Sequence, residues 1–323
     1  MADKTLIEWA DATANAINGC SVISPGCKNC YAMRLAGTRL RDHPSRAGLT
    51  VDSVSGPVWT GEISWRKDVL LQVIGWKRPR RVFWNAHGDM FHDNVDPEMV
   101  WNVFGACALS PQHTHIILTK RPERMAMMMG NRGSTIAVRE KGGNRPVIER
   151  PWPLPNVWIG VSVEDQRRAD ERVPVLIETP AAYRFVSAEP LLAALNLEKW
   201  LRRCRAGRDG DCIDARCPQT RDDEPHKTGR HCPIDTASYD DRPSLPLLDL
   251  VIAGGESGPS SRSMPIEAIR SLRDQCQAAG VPFHFKQWGD WAPNENGVMV
   301  KVGKKVAGRV LDGRTWDEVP SCL

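Results

Sequence analysis

Short apolar segments alternate with polar turns and helical stretches along most of the chain. These segments are dominated by Val, Ile, Leu and Phe, which is typical of strands buried on both faces of a parallel sheet. Six of them predict strands, at 82–84, 115–118, 157–161, 183–186, 248–253 and 283–285. A seventh strand is expected just before Cys20.

The stretches between these strands carry the signals of helix starts and stops. The Asp-Pro pair at 96–97 predicts a capped helix start. Residues 266–279 place apolar side chains on one stripe that stops at Gly280. Ser162, followed three residues later by Asp165, has the form of a capping box and predicts another helix. Strands alternating with helices indicate βαβ units with right-handed crossovers.

The pattern predicts an α/β fold, a (β/α) barrel that is either complete or partial. We expect residues 1–201 and 247–323 to form this single barrel domain. Two segments interrupt the alternation. Residues 131–156 predict a long loop excursion rich in Gly, Pro and Arg, and residues 202–246 predict a polar insertion, carrying Cys and His, between two late strands.

Polar side chains follow each of the six strands. We expect them to meet at one rim, because function in (β/α) barrels collects at the carboxyl ends of the strands. The alternative is that they only mark where strands become loops. The residues concerned are Asn85, Asp89, Thr119, Lys120, Ser162, Glu164, Ser187, Glu189, Glu256, Ser257, Lys286 and Gln287.

The composition is that of a globular protein. The 323 residues are 41% hydrophobic and 25% charged, and 43 basic against 39 acidic side chains give a net charge of +4. A net charge of this size is compatible with a nucleic-acid partner but is not evidence for one. No apolar run approaches the roughly 20 residues of a membrane span, and the first residues lack the features of a signal peptide. We expect a cytoplasmic protein with no membrane partner, whose ten cysteines are metal ligands or catalysts rather than disulfides.

Three of these cysteines, Cys20, Cys27 and Cys30, lie near the N-terminus, separated by six and then two residues. Pro25 and Gly26 between them suit a turn that wraps a metal centre. Three thiolates can hold three irons of a [4Fe–4S] cluster and leave the fourth iron open to bind a further molecule. The alternatives are a zinc site completed by a distant fourth ligand, and buried free cysteines.

The cysteine run and several later segments resemble a known class of radical enzymes. A cysteine trio followed directly by Tyr31, in the first loop of a (β/α) chain, is similar to the radical S-adenosylmethionine superfamily, although the usual spacing there is three and then two residues. The chain resembles more closely a phage-associated, DUF5131-like three-cysteine family allied to that superfamily. The matching segments are 7–13, 18–32, 88–92, 118–122, 160–164, 187–191, 254–258 and 285–289.

The resemblance implies a mechanism. Cys20, Cys27 and Cys30 would hold a [4Fe–4S] cluster that binds S-adenosylmethionine, and one electron would split that cofactor to a 5′-deoxyadenosyl radical that abstracts hydrogen from a substrate. Asp89 would face the methionine amine and Lys120 a carboxylate. The residues expected to contact the cofactor are Tyr31, Asp89, Lys120, Ser162, Glu164 and Ser187, and those expected to contact the substrate are Glu189, Glu256, Lys286, Gln287 and Trp288.

The resemblance also implies partners. The reaction would require a low-potential electron donor such as flavodoxin or ferredoxin. A nucleic acid is the substrate class to test first, since the superfamily includes chemistry on nucleotides and DNA lesions. Basic residues at 77–81 and 202–208 offer local support, and so do Trp288 and Trp291, which we expect to be exposed and able to stack on bases.

A second group of cysteines lies in the insertion. Cys204, Cys212, Cys217 and Cys232 could hold a zinc ion that orders this segment, or could stay as reduced thiols. Two other functions compete with the radical enzyme. One is a non-enzymatic binding protein stabilised by zinc or by a cluster, and the other is an electron-transfer or assembly protein that carries a cluster without a cofactor pocket.

Overall fold

The computed structural model describes Thr5 and residues 7–130, 135–138, 147–201 and 247–320. The predicted insertion at 202–246, with its four cysteines, lies outside the described residues. The predicted excursion at 131–156 is described in part. There, Thr135–Val138 pairs antiparallel with Ile148–Pro151, so this part of the excursion is a β-hairpin rather than a loop.

A single sheet of seven parallel strands organises the fold. The strands are β1 (Ala12–Ala14), β2 (Arg81–Trp84), β3 (Thr114–Thr119), β4 (Val157–Ser162), β5 (Tyr183–Ala188), β6 (Leu250–Gly254) and β7 (Phe283–Gln287), and they lie side by side in that order. The six strands predicted from apolar segments, and the seventh expected before Cys20, are confirmed. Because spatial order equals chain order, all seven carboxyl ends meet at one edge. The sheet is a half-barrel.

Helices connect and cover the strands. They are α1 (Tyr31–Gly37), α2 (Asp68–Gly75), α3 (Pro97–Leu109), α4 (Pro122–Met129), α5 (Gln166–Glu178), α6 (Glu198–Leu201), α7 (Ile266–Ala279) and α8 (Lys304–Ala307). Three further antiparallel pairs lie outside the main sheet: Ile17–Asn18 with Ser64–Trp65, Thr50–Ser53 with Gly56–Trp59, and Trp291–Pro293 with Met299–Lys301. No described helix has the length and apolar character needed to cross a membrane.

The helix ends follow the predicted signals, with one exception. Asp96 caps α3 by accepting a hydrogen bond from the Glu98 backbone N–H at 2.7 Å, and α7 ends at Gly280 in the left-handed conformation. The predicted capping role of Ser162 is wrong. Ser162 is still part of β4, paired with β5, so Asp165 caps α5 instead, accepting from the Arg168 N–H at 2.9 Å.

Two apolar layers pack against the sheet. The larger layer joins the outer face of the sheet to the helices. A smaller cluster fills the inner face, built on Phe83, Ile116, Trp158, Phe185 and Leu250, with Trp9 packed among them. Strand residues alternate between the two layers, as the pleat requires. A half-barrel with both faces covered explains why its strands read as apolar segments.

The outer edge of β7 is covered by the last described part of the chain. The Phe285 N–H donates to the Trp316 carbonyl at 2.9 Å, and His284 forms an isolated antiparallel bridge with Asp317. The Glu318 carboxylate accepts from the Phe283 N–H at 3.0 Å. These contacts satisfy backbone groups that a strand at the edge of a sheet would otherwise leave unpaired.

Gly160→Ala should destabilise the protein. A Cβ at Gly160 would lie 2.5 Å from ring atoms of Phe185, so the inner cluster would have to shift. We expect a loss of about 1–3 kcal/mol of unfolding free energy. Gly105→Ala is the matched control, because its Cβ would lie 3.7 Å from Val138 in ordinary contact, and alanine favours the helix by about 1 kcal/mol. Denaturant unfolding of both variants tests the prediction, and equal effects would contradict it.

His115 should make stability fall at acid pH. Its ring lies in the core. The Trp84 Nε1–H donates to the His115 Nδ1 at 3.0 Å, and the Ser110 hydroxyl lies 3.2 Å from the His115 Nε2. Burial lowers the pKa of His115 from 6.5 to about 3. Between those values the unfolded chain binds a proton that the folded protein excludes, so unfolding free energy decreases as pH falls, by about 1.4 kcal/mol per pH unit for one such group.

The measurement is the pH dependence of unfolding free energy in the wild type and in His115→Gln. Between pH 6 and pH 4 the variant should show the shallower decrease, because glutamine does not titrate. Other buried histidines contribute equally to both proteins. Identical slopes would refute the assignment of this pH dependence to His115.

Candidate functional site

One cavity of about 940 Å³ lies at the carboxyl ends of the strands. Most of the residues predicted as site residues line it: Cys20, Cys27, Cys30, Tyr31, Asp89, Lys120, Ser162, Ser187, Glu189, Glu256, Lys286 and Gln287. Sequence order in the sheet brings these residues together, since each follows or ends a neighbouring strand. Glu164 and Trp288 are not among the lining residues.

The three cysteines lie on one loop that follows β1. Cys20 comes directly after Gly19, whose φ of 99° only glycine adopts readily. Cys27 ends a 3-10 turn at Pro25–Cys27, and Cys30 is the N-cap of α1. All three are free thiols. The loop therefore presents three unpaired sulfurs to a single cavity.

Each thiol has a donor within reach of its sulfur. The Arg121 guanidinium lies 3.5 Å from the Cys20 Sγ, and the Ser24 hydroxyl lies 3.6 Å from the Cys27 Sγ. Burial raises the pKa of Cys20 to about 12, aided by Asp89 and opposed by Arg121. Burial also raises the pKa of Cys30, although backbone N–H groups of the following helix turn oppose it.

The donor set matches an iron–sulfur cluster in its chemistry, because three cysteine thiolates can bind three irons of a cubane and leave the fourth open. Among the residues that the structure describes, no group of three Cys, His, Asp or Glu side chains is arranged to hold a metal ion. Hydrogen-bond donors beside the sulfurs are also the groups that tune iron–sulfur clusters.

An Asp89–Arg121 pair fixes the first cysteine. The Asp89 carboxylate accepts four hydrogen bonds, from the Thr119 hydroxyl at 2.7 Å, the backbone N–H groups of Phe91 and Lys120, and the Arg121 guanidinium at 2.9 Å. Both members of the pair are buried. Arg121 also donates to the Ser21 hydroxyl at 2.7 Å. All four acceptor positions of the carboxylate are thus used within the protein.

A Glu164–Arg172 pair fixes the middle of the cysteine loop. Glu164 is fully buried, and one of its oxygens accepts from the Gly26 backbone N–H at 3.2 Å. The other accepts from Arg172 at 3.0 Å. A Cβ at Gly26 would come within 3.1 Å of the Glu164 carboxyl carbon, so glycine permits this approach. The carboxylate therefore faces the loop backbone.

A Glu256–Arg262 pair fixes the end of the loop. Glu256 follows β6 and accepts hydrogen bonds from the Arg262 side chain and from Asn29 Nδ2, the latter at 2.9 Å. Arg262 also donates to the Pro25 carbonyl at 2.9 Å. Burial alone would raise the pKa of Glu256, but the hydrogen bonds from Arg262 and Asn29 lower it below its ordinary value.

A fourth polar group faces the cavity from β5 and β7. Lys286 Nζ lies 3.0 Å from a Glu189 carboxylate oxygen, and the Ser187 hydroxyl donates to the other oxygen at 3.2 Å. A Cβ at Gly254 would come within 2.8 Å of the same carboxylate, so glycine on β6 makes room for it. This group offers one cation, one anion and one hydroxyl to a bound molecule.

Of the two aromatic residues predicted at the site, Trp288 lies in the core and Tyr31 lies at the rim of the cavity. Trp288 is buried, with 3% exposure, and its indole N–H donates to the Val310 carbonyl at 2.8 Å. The expectation of an exposed stacking surface at Trp288 is therefore wrong, because this ring packs against Phe285 in the core. Tyr31 is exposed, and its hydroxyl donates to the Ala86 carbonyl at 2.8 Å at the rim of the cavity.

Sequence reasoning missed the arginine of each of the three pairs that hold the cysteine loop. Arg121 is the neighbour of Lys120, which was predicted as a site residue, and Asn29 lies between Cys27 and Cys30. Both could therefore have been predicted from the sequence. Arg172 and Arg262 gave no signal, since charged residues in a helix or loop normally face solvent. Their partners became apparent only from the folded chain.

The fold and the cavity define an α/β half-barrel protein with a cysteine-bearing loop held over the carboxyl ends of its strands. A family model described as "Protein of unknown function (DUF5131)" matches residues 4–320, and the chain belongs to that family. Neither the curated proteins nor the solved structures gave a match.

Glu164→Ala should destabilise the protein strongly. The substitution leaves Arg172 buried without its counter-charge, which costs about 3–5 kcal/mol. Asp170→Ala is the matched control, because Asp170 lies on α5 with Arg172 and pairs with Lys199 on the surface, where an ion pair contributes at most about 1 kcal/mol. Denaturant unfolding measures both. Hydrogen exchange at Gly26 should also increase only in Glu164→Ala, and a protected amide there would contradict the anchoring contact.

Proposed function

We propose that this protein is a radical S-adenosylmethionine enzyme in which Cys20, Cys27 and Cys30 hold a [4Fe–4S] cluster. One observation carries the proposal: three free thiols, too few for a closed structural site, line the same cavity as the polar ends of six neighbouring strands. A site with an open iron needs such a cavity beside it for a cofactor and a substrate.

When bound, the cluster would supply the electron that cleaves the sulfonium bond of S-adenosylmethionine and so starts hydrogen abstraction from a substrate. The chain's own residues would do the rest. The three ion pairs, each with a buried carboxylate, hold the cysteine loop in place. Arg121, beside the Cys20 sulfur, would stabilise the negative charge of the thiolate.

The proposed contacts divide between cofactor and substrate. Lys120, whose positive charge acts to lower the pKa of Cys30, is suited to bind the carboxylate of the cofactor. Ser162 and Ser187 remain candidates for its polar groups, and Tyr31 for its adenine. The role of Asp89 is revised: with four internal hydrogen bonds, we assign it as a positioning residue for Arg121 rather than a partner of the methionine amine. Glu164 is likewise assigned to positioning the loop.

The substrate would meet the Glu189–Lys286 pair and Gln287. The Gln287 side-chain oxygen is buried and has no hydrogen-bond partner in the structure, which leaves an acceptor available to a bound molecule. A low-potential donor of the flavodoxin or ferredoxin type would deliver the electron. A cytoplasmic location, where thiols stay reduced, suits this chemistry.

Cys27→Ala should abolish iron binding and cofactor cleavage. After anaerobic reconstitution the wild type should hold about four irons per chain and release 5′-deoxyadenosine when reduced with dithionite in the presence of S-adenosylmethionine. Cys276→Ala, which changes a core cysteine far from the loop on α7, should keep both properties. Iron, acid-labile sulfide and chromatography of the nucleoside are the measurements.

Two outcomes would contradict the proposal. A Cys27→Ala variant that still formed 5′-deoxyadenosine would refute the ligand assignment. A colourless wild-type protein that bound zinc stoichiometrically, with no affinity for S-adenosylmethionine, would favour the non-enzymatic binding protein instead.

A further inference from the structure

Arg46 is a buried cation to which no described residue supplies a counter-charge. Its side chain is 6% exposed, and it lines the same cavity as the cysteines. Its hydrogen bonds go to the Ser45 carbonyl, the Ser45 hydroxyl and the His87 ring, all of which are neutral groups. No carboxylate of the described residues pairs with it. A buried charge left in this state is costly unless something compensates it.

The charge state of this pair is clear at neutral pH. Burial, together with the charge of Arg66, lowers the pKa of Arg46 to about 10, so Arg46 stays protonated. Burial and the charge of Arg46 lower the pKa of His87 to about 4, so His87 stays neutral and accepts the hydrogen bond. Arg66, whose charge acts on Arg46, is itself paired with Asp68, with contacts of 3.0 and 2.8 Å.

Two buried donors on residues that line this cavity have no acceptor among the described residues. The Arg46 Nε and the Asn85 Nδ2 are both buried without a hydrogen-bond partner, and both residues line the cavity. The Asn85 orientation is fixed, because its Oδ1 accepts from the Ile17 N–H at 2.8 Å. Unused donors and an uncompensated cation in one cavity require a ligand that is anionic and offers several acceptor oxygens.

Two further residues with basic side chains line the same cavity. Arg39 and His43 are both exposed. They come from the segment that carries Arg46, between α1 and the hairpin that starts at Thr50. Positive charge on exposed lining residues attracts an anionic ligand to the cavity.

We propose that Arg46 and Asn85, with Arg39 and His43 as exposed lining residues, form a phosphate subsite, and that the substrate of this protein is a phosphorylated molecule. A phosphate group supplies the charge and the several oxygens that these donors lack, and arginine binds phosphate in bidentate geometry. The inference rests on the proposed function only in calling this ligand the substrate. A nucleotide monophosphate and an internal phosphodiester share this chemistry.

The test is titration of cluster-free protein with inorganic phosphate by isothermal calorimetry at constant ionic strength. Arg46→Gln should weaken phosphate binding roughly tenfold or more. Arg41→Gln is the matched control, because Arg41 lies on the same segment but pairs with Asp52 on the surface, and its affinity should equal that of the wild type. Absence of phosphate binding by the wild type, or equal affinities for wild type and Arg46→Gln, would overturn the proposal.

A stability measurement separates a ligand-binding role from a structural one. In the absence of phosphate, Arg46→Gln should unfold at the same temperature as the wild type or higher, because the substitution removes an uncompensated buried charge. A clearly lower midpoint would assign Arg46 to the fold and overturn the proposal. Should this variant not fold, Arg46→Lys decides the question, since loss of the planar fork should weaken phosphate binding and unchanged affinity refutes it.

Two further ligands identify the source of the phosphate. Thymidine 5′-monophosphate carries a terminal phosphate and the dinucleotide TpT carries only an internal one, so whichever shows the Arg46-dependent affinity names the substrate type. If only S-adenosylmethionine shows it, the anion is a carboxylate and the proposal is wrong. These titrations need no iron, so phosphate binding can fail while 5′-deoxyadenosine still forms, and the reverse. Phosphate binding therefore tests only the phosphate subsite, and 5′-deoxyadenosine formation tests only the proposed radical enzyme.

Discussion

The site depends on one constraint: the cysteine loop must be held over the strand ends, and three ion pairs with buried carboxylates hold it there. Asp89–Arg121 acts near Cys20, Glu164–Arg172 acts at Gly26, and Glu256–Arg262 acts at Pro25 and Asn29. Desolvating such pairs is costly, and apolar residues of equal volume would often stabilise a fold as well or better. These pairs contribute positioning, because charge-assisted hydrogen bonds are directional and fix where the loop lies, whereas apolar packing is not directional.

The order of the strands makes this anchoring geometrically simple. The loop leaves β1, and its three acidic anchors follow β2, β4 and β6. In a sheet whose spatial order equals its chain order, these positions recur at regular intervals along one edge. The loop can therefore be held at its start, middle and end by a single rim. Gly26 supplies the clearance that the Glu164 carboxylate needs.

The fold was accessible from sequence because it is carried by local signals. Apolar segments gave six of the seven strands, the Asp-Pro pair gave the start of α3, and Gly280 gave the end of α7. The acidic site residues were accessible for the same reason, since they follow strands directly. Ser162 misled because the start of a helix and the end of a strand both favour small polar residues, and only the pairing with Ser187 decides between them.

The basic residues of the site were not accessible in this way. The Arg121 contact with Cys20 joins positions 101 residues apart, and the contact of Arg262 with Pro25 joins positions 237 apart. No local pattern encodes such a pairing. Trp288 illustrates the converse: the Lys-Gln-Trp run at the end of β7 suggested a rim residue, but Trp288 lies just beyond the strand and its ring packs into the core against Phe285. Arg46 stood out only because the folded chain surrounds it with neutral partners.

The chain segment at 316–318 that lies along β7 has a consequence for the behaviour of the whole molecule in solution. A half-barrel, unlike a closed one, keeps two outer strands, and an unpaired outer strand is a template for association between molecules. By occupying the backbone of Phe283 and Phe285, this segment removes one such template. It therefore protects the protein from edge-to-edge aggregation at little cost, since it adds only a few residues to an existing sheet.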